Sequence, residues 1–178
     1  MAKVIAITNQ KGGVGKTTTT VNLGIGLARK GYKVLLIDAD PQGSLTVSLG
    51  VKNPDQLEES LATVMQAAID DKQLPLDTGI IRHPEGVDFM PSNIELSGIE
   101  TSLFNTMSRE HMMKNYIDTV KKDYDYIFID CMPSLGMMTL NALVAADSVM
   151  IPSQPSFLST KGLNLLFHTV NRVQRYIK

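Results

Sequence analysis

Between residues 9 and 18 the chain reads Asn9-Gln10-Lys11-Gly12-Gly13-Val14-Gly15-Lys16-Thr17-Thr18. Glycines at 12, 13 and 15 let a backbone approach a polyphosphate closely and turn successive N–H groups toward it. A helix opening directly after the loop would add its partial positive charge. Lys16 would then reach the β- and γ-phosphates of a nucleoside triphosphate, and the Thr17 hydroxyl would ligate Mg2+. Thr18 is a candidate hydrogen-bond donor to the α-phosphate. A chance glycine-rich turn is the competing reading, and the strand-to-helix setting of Gly15-Lys16-Thr17 weighs against it.

Two further segments place carboxylates where such a loop could use them. The apolar run Val34-Leu35-Leu36-Ile37 leads into Asp38-Ala39-Asp40-Pro41-Gln42-Gly43-Ser44, and Tyr126-Ile127-Phe128-Ile129 leads into Asp130-Cys131-Met132-Pro133-Ser134. At the carboxyl end of a strand beside a phosphate loop, Asp130 could hold a water ligand of Mg2+. Taken singly, each aspartate reads as a solvated turn starter. Together, after two hydrophobic strands and a glycine loop, they read as a site.

The elements that must carry these residues follow from periodicity. Residues 3–8 and 34–37 are strand-like runs rich in β-branched and aliphatic side chains, while residues 17–29 repeat apolar side chains at helical spacing. Asn53-Pro54-Asp55-Gln56 predicts an N-cap with proline at the first helical position, opening a helix through Leu57, Leu61, Val64, Met65 and Ala68. Residues 80–82 and 87–91 predict a short strand pair, or one strand with its flanking loop. Helices over 93–104 and 109–122 lead to the strand ending at Asp130. Strands alternating with helices imply a doubly wound, mostly parallel α/β sheet with helices on both faces, a P-loop NTPase architecture in one domain, with its ligand at the carboxyl ends of the strands.

Composition narrows the setting. The chain has 178 residues, 43% hydrophobic and 20% charged, enough for a substantial core. Nothing approaches a membrane-spanning length, and the chain enters strand-like sequence without a signal peptide, so a cytoplasmic protein is expected. A net charge of −1 gives no overall basic signature, so any nucleic-acid contact needs a local patch or a dimer surface. Cys131 is the single cysteine, which excludes an internal disulfide and reads as a small buried residue. His83, His111 and His168 lack metal-ligand spacing and read as surface or partly buried groups. The methionines read as core filling. Lys161, Arg172, Arg175 and Lys178 near the end read as a solvated helix face before a phosphate-contacting one.

One departure carries a resemblance. The strict pattern G-x-x-x-x-G-K-[ST] wants glycine where this chain has Gln10. Lys11, five residues before Lys16, is instead the mark of the deviant Walker A loop, and the chain resembles the ParA/Soj type of DNA-partitioning ATPase. The wider group includes MinD-like cell-division ATPases and the nitrogenase iron protein. Residues 38–44 are similar to the family's first switch, and residues 126–134 to its Walker B strand and second switch, with Cys131-Met132 where the family more often has Ala-Pro. Val149-Met150-Ile151-Pro152-Ser153-Gln154-Pro155-Ser156-Phe157 resembles the strand passing near the base, which makes Pro152 and Gln154 candidate nucleotide contacts. A single cysteine sets the chain apart from the iron protein, whose subunits each supply two to a shared cluster.

The resemblance implies ATP and Mg2+ as ligands and hydrolysis to ADP and phosphate. Asp40 would orient and polarise the attacking water, and Asp38 would support Mg2+ hydration or the loop. Lys11 would reach across the interface of an ATP-bound homodimer. Expected partners are nonspecific double-stranded DNA and a ParB-like centromere-binding protein, at a nucleoid-associated cytoplasmic location, with no membrane. Members usually continue well past this chain's last residue, so a C-terminally truncated domain is expected. Two other readings stay open. A MinD-like membrane-docking ATPase usually carries glycine at the position of Gln10 and needs a C-terminal amphipathic helix that this sequence does not show. An ATP-dependent small-molecule synthetase needs a substrate pocket that the sequence does not identify.

Overall fold

A computed structural model describes residues 2–154 and 157–177. Six strands, β1 (Lys3–Ile7), β2 (Val34–Ala39), β3 (Ile81–Arg82), β4 (Asp88–Met90), β5 (Tyr126–Cys131) and β6 (Ser148–Met150), form one sheet in the order β3-β4-β2-β5-β1-β6. All neighbours pair in parallel except β3, which runs antiparallel to β4 at the edge. Parallel neighbours need crossover connections, and helices supply them. These are α1 (Lys16–Ala28), α2 (Ser44–Ser48), α3 (Leu61–Ile69), α4 (Leu96–Leu103), α5 (Met112–Val120) and α6 (Met137–Ala145), while α7 (Phe157–Tyr176) follows β6.

The sheet is buried on both faces, and strand alternation divides its side chains between them. Ile7, Val34, Leu36, Phe89 and Phe128 pack with Leu45 of α2, with Leu49 just after it, and with Val21, Leu23 and Ile25 of α1. Val4, Ala6, Leu35, Ile37, Ile127 and Ile129 pack instead with α3, α4, α5 and α6, joined by Val173 of α7. Gly24 lets α1 lie directly on β2, since a Cβ there would come 2.6 Å from Leu36 Cδ2. The same alternation sends Asp38 and Asp130 to the α1 and α2 face. Register places the two side by side, with Ile7 opposite Asp130 on β1. Both lie at the carboxyl end, where the β1–α1 loop also emerges.

The doubly wound fold expected from the sequence is present, including the short strand pair over 81–90. One helix start is corrected. Asn53 makes no side-chain cap, Pro54–Gln56 is a single 3-10 turn, and Leu57 is extended at ψ 131°. The helix begins at Leu61, capped by Ser60, whose Oγ accepts from Ala62 N at 3.2 Å while Ser60 N donates to Thr63 Oγ1 at 3.1 Å. The Asp55 carboxylate is drawn elsewhere, accepting from Ile94 N at 3.0 Å. Helices α2 and α6 lie outside the elements predicted from periodicity. The first has five residues, and the second is buried at eight of its nine positions, so neither shows an amphipathic repeat.

Met65, Met90, Met112, Met113, Met137 and Met138 are core residues, whereas Met107 is 90% exposed. Arg172 and Arg175 are exposed on α7, as a solvated face requires. Pro155, Ser156, Lys178 and the side chains of Phe157 and Lys161 lie outside the described residues. Among the described residues no helix is long and apolar enough to cross a membrane.

Candidate functional site

The site starts where β1 ends. Asn9, 1% exposed, accepts from Lys11 N at 3.0 Å through Oδ1 and donates through Nδ2 to Pro152 O at 2.8 Å and Ser153 Oγ at 3.3 Å. One buried amide therefore fastens the glycine loop to the segment after β6. In the loop, Gly13 (φ 70°) and Gly15 (φ 89°) adopt left-handed backbone that L side chains rarely accept. Nothing lies within 4 Å of an ideal Cβ at Gly12, Gly13 or Gly15, so space remains in front of the loop for a ligand. Gly15 precedes α1 without a capping side chain, leaving the helix amides directed at that space.

Lys16 and Thr17 open α1 and point to the Asp130 end of β5. Lys16 is buried, and its Nζ donates to Lys11 O at 3.3 Å. Burial lowers its pKa, opposed by the charges of Asp130 and Asp40. Thr17 Oγ1 donates to Asp130 Oδ2 at 2.6 Å. Thr20 Oγ1, one turn on, lies 3.0 Å from Lys16 O and 3.3 Å from Asp130 Oδ1 and shares its hydrogen between them. Burial pushes the Asp130 carboxyl up to about 6, against the pull of Thr17, Lys16 and Thr20, with Asp40 adding to the rise.

Asp38 is completely buried. Its Oδ2 accepts from Thr46 N at 2.9 Å and Thr46 Oγ1 at 2.7 Å, and its Oδ1 accepts from Asp40 N at 3.3 Å. Burial still prevails over these donors and, helped by Asp130, pushes its pKa up to about 7. Asp40 is half-buried. Its Oδ1 accepts from Gln42 N at 3.0 Å and its carbonyl from Gly43 N at 2.9 Å, which folds residues 40–43 into a turn feeding α2.

The structure thus brings Lys11, Lys16, Thr17, Asp38, Asp40 and Asp130 to one end of one sheet face. Lys11 Nζ donates to Gln154 Oε1 at 3.3 Å, so Pro152 and Gln154 both border the loop. Thr18 is exposed on α1, with its carbonyl accepting from Asn22 Nδ2 at 2.8 Å. Cys131 faces the opposite core, 2% exposed, where burial pushes its thiol up and keeps it unreactive. Thr20, Thr46 and Asn9 were not singled out from sequence. Thr20 had a signal, since it lies three and four residues from Thr17 and Lys16 on one helical face; Thr46 sits on a helix with no readable repeat.

The donor set suits a hard cation beside phosphate. A hydroxyl and a carboxylate oxygen 2.6 Å apart are both oxygen ligands of the kind Mg2+ takes. Two neighbouring buried carboxyls, each pushed up into the near-neutral range, would also gain from a nearby positive charge.

Similarity to known proteins points the same way. A family model described as an AAA domain matches residues 2–178. The sporulation initiation inhibitor protein Soj of Bacillus subtilis is 48% identical over 177 residues, which is 99% of this chain and 68% of that protein. The chromosome partitioning protein ParA of Caulobacter vibrioides is 39% identical over 174 residues, 97% of this chain and 63% of that one. Among solved structures, cobyrinic acid a,c-diamide synthase from Mycobacterium smegmatis with bound ATP analog and magnesium superposes with a TM-score of 0.89 at 39% identity, covering 99% of this chain and 70% of that chain. The chain spans about two thirds of the length of these relatives. Its glycine loop, its two carboxylate-tipped strands and this similarity along nearly its whole length place it together with them: the chain belongs to the Soj/ParA family of P-loop ATPases.

Proposed function

We propose that this protein is an ATP-dependent dimerisation switch that hydrolyses ATP to ADP and phosphate and, in its ATP-bound homodimer, binds double-stranded DNA nonspecifically to partition a replicon. Residues 1–178 act in this reading as one P-loop ATPase domain. The observation that carries it is the 2.6 Å contact of Thr17 with Asp130 beside buried Lys16, at the mouth of a loop whose glycine backbone faces open space. The amides of residues 12–17 cradle the phosphates and Thr18 hydrogen-bonds the α-phosphate. Lys16 neutralises the β- and γ-phosphate oxygens, while Pro152 and Gln154 border the base.

Thr17 would ligate Mg2+ directly, with Asp130 and Asp38 acting through bound water. Held there, the ion would supply positive charge to offset the negative charge that develops on the phosphate oxygens in phosphoryl transfer. Asp40 accepts a hydrogen bond from the attacking water and aims its oxygen at the γ-phosphorus. Lys11 leaves Gln154 and reaches the nucleotide of a second copy, so the dimer is favoured while the γ-phosphate is present and loses that contact after hydrolysis. Stimulation by a ParB-like centromere-binding protein and residence on the nucleoid belong to the same reading, supported by the similarity to ParA and Soj.

A second reading, an ATP-dependent synthetase acting on a small molecule, is favoured by the similarity to cobyrinic acid a,c-diamide synthase from Mycobacterium smegmatis. Lys11 together with Asp40 weighs against it, because that pair serves a nucleotide sandwiched between two copies and cleaved by water. The experiment that tests these readings is ATP-dependent co-sedimentation of full-length Asp40→Ala protein with random-sequence duplex DNA and, separately, with anionic vesicles. DNA binding that requires ATP and weakens steeply with salt is the expected result. Binding to vesicles alone would replace the partitioning reading by a membrane-docking one, and binding to neither would favour the synthetase.

A further inference from the structure

The hydrogen bonds of the loop from Asp38 to Thr46 run mainly within the loop itself. Asp40 bonds only Asp38, Gln42 and Gly43 among its described hydrogen bonds, all within the same turn. Buried Pro41, Gly43 and Leu45 pack the loop against its surroundings, and its one described side-chain hydrogen bond to another segment is made by a hydroxyl at its far end. Thr46 Oγ1, completely buried, donates to Asp38 Oδ2 at 2.7 Å and accepts from Ser92 N at 2.9 Å. With its one hydrogen on Asp38 and a lone pair on Ser92, the hydroxyl has a fixed orientation.

The anchor itself is rigid. Pro91 O accepts from Leu61 N at 2.8 Å, Ser60 Oγ lies 3.2 Å from Asn93 Oδ1, and Ile94 N donates to Asp55 at 3.0 Å. The four residues 91–94 are therefore bound to the start of α3 and to the 3-10 turn before it. They also close on the loop directly, since a Cβ at Gly43 would come 3.2 Å from Ser92 O.

We infer that Thr46 is a positioning residue for ATP hydrolysis: its hydroxyl clamps Asp38 to Ser92 and thereby fixes the backbone from which Asp40 addresses the attacking water. This rests on the role given to Asp40 above. The geometry makes the effect specific. Thr46→Val keeps the side-chain shape and the amide bond from residue 46 to Asp38. It removes only the hydroxyl, leaving the buried Ser92 N–H without its acceptor and Asp38 with one donor fewer. Thr46 makes no described hydrogen bond to the glycine loop, Lys16, Thr17 or Asp130, so the groups assigned to the phosphates are left in place, and Asp38 keeps its backbone donor from residue 46. Catalytic alignment is far more sensitive, because a displacement of about 1 Å can cost about 100-fold in rate.

The test compares full-length wild type with Thr46→Val, Thr46→Ser and Thr46→Cys in steady-state ATP hydrolysis and nucleotide binding, with hydrogen exchange of the 40–43 amides measured alongside. For Thr46→Val the expected result is a kcat lower by roughly 10- to 100-fold with KM and ADP affinity changed by less than about threefold. Thr46→Ser, which keeps the hydroxyl, restores kcat to within about threefold, and Thr46→Cys, with its weak donor, falls between them. The 40–43 amides exchange faster in Thr46→Val while those of β5 do not. Unchanged kcat in Thr46→Val would overturn the inference. So would a loss that merely follows the folded fraction, with no serine rescue. A wild type without ATP hydrolysis would instead defeat the role of Asp40, and the exchange data would then decide alone whether Thr46 holds the loop.

Discussion

On the α1 and α2 face of the sheet, β2 presents Val34, Leu36 and Asp38 and β5 presents Tyr126, Phe128 and Asp130; on the other face the same strands present Leu35, Ile37, Ala39 and Ile127, Ile129, Cys131. Each first-face set ends in a carboxylate at the carboxyl end, and there it meets Thr17, Thr20 and Thr46. Each second-face set stays apolar to its last residue, beneath a layer of four helices. A shift of one residue in strand parity would bury both aspartates in that layer without donors, at a cost of several kcal/mol each. The comparison separates two kinds of residue: the polar groups at the carboxyl end of the first face, proposed above to act on a nucleotide, and the apolar residues of both faces, which set how firmly the protein stays folded.

The largest effect is expected from Lys16→Ala, on the first face. Removing a buried cation proposed to meet phosphate should weaken ATP binding by roughly 100-fold or more while the thermal midpoint of the ligand-free protein changes little. Isothermal calorimetry and a melting curve check both halves. On the second face, Met65→Ala should lower unfolding free energy by about 2–5 kcal/mol with little change in ATP affinity per folded molecule, as read by urea titration and by binding at low temperature. A Met65 variant that lost binding while staying folded would break the division.

Asn141 sharpens the comparison because it is a completely buried polar side chain within the apolar layer. Its Nδ2 donates to Arg109 O at 2.8 Å and Met137 O at 3.0 Å, and its Oδ1 accepts from Met113 N at 3.1 Å, so α6 caps the first turn of α5 in place of a local cap. Asn141→Ala should destabilise by about 1–3 kcal/mol and leave nucleotide binding intact.

How much of this was legible in the sequence depended on whether a residue's partner was local. The glycine loop, both carboxylate-tipped strands and the doubly wound order could be read because each is a contiguous pattern. The Asn53 cap was misplaced because Asn-Pro-Asp-Gln matches a helix start locally, while Ser60 with Thr63 supplies the real one and Asp55 is taken by Ile94. Helix α6 showed no amphipathic repeat because it is buried nearly all round. Thr46 and Ser92 could not be paired in advance, since 46 residues separate them and only the β2–β4 pairing brings them together.

A smaller effect concerns pH. Asp38 and Asp130 titrate at about 7 and about 6 in the folded protein, above the value of roughly 3.9 in an unfolded chain. Between these values the folded state binds more protons, so the stability linked to them is present below about pH 4 and is lost as pH rises toward 7. The ligand-free protein should therefore lose unfolding free energy from pH 5 to pH 8, and Asp38→Asn should flatten that slope. Urea titrations across the range provide the check, and an identical slope in the variant would remove Asp38 as its source.

The most direct measurement of the central claim is a single-turnover assay of Asp40→Ala with limiting ATP and Mg2+, following bound nucleotide and released phosphate in the same sample. The predicted result is ATP bound as tightly as by wild type, with phosphate release slowed by roughly 100-fold or more. Phosphate released at the wild-type rate would contradict the account, because the first-face carboxylate assigned to the attacking water would then have no part in the chemistry.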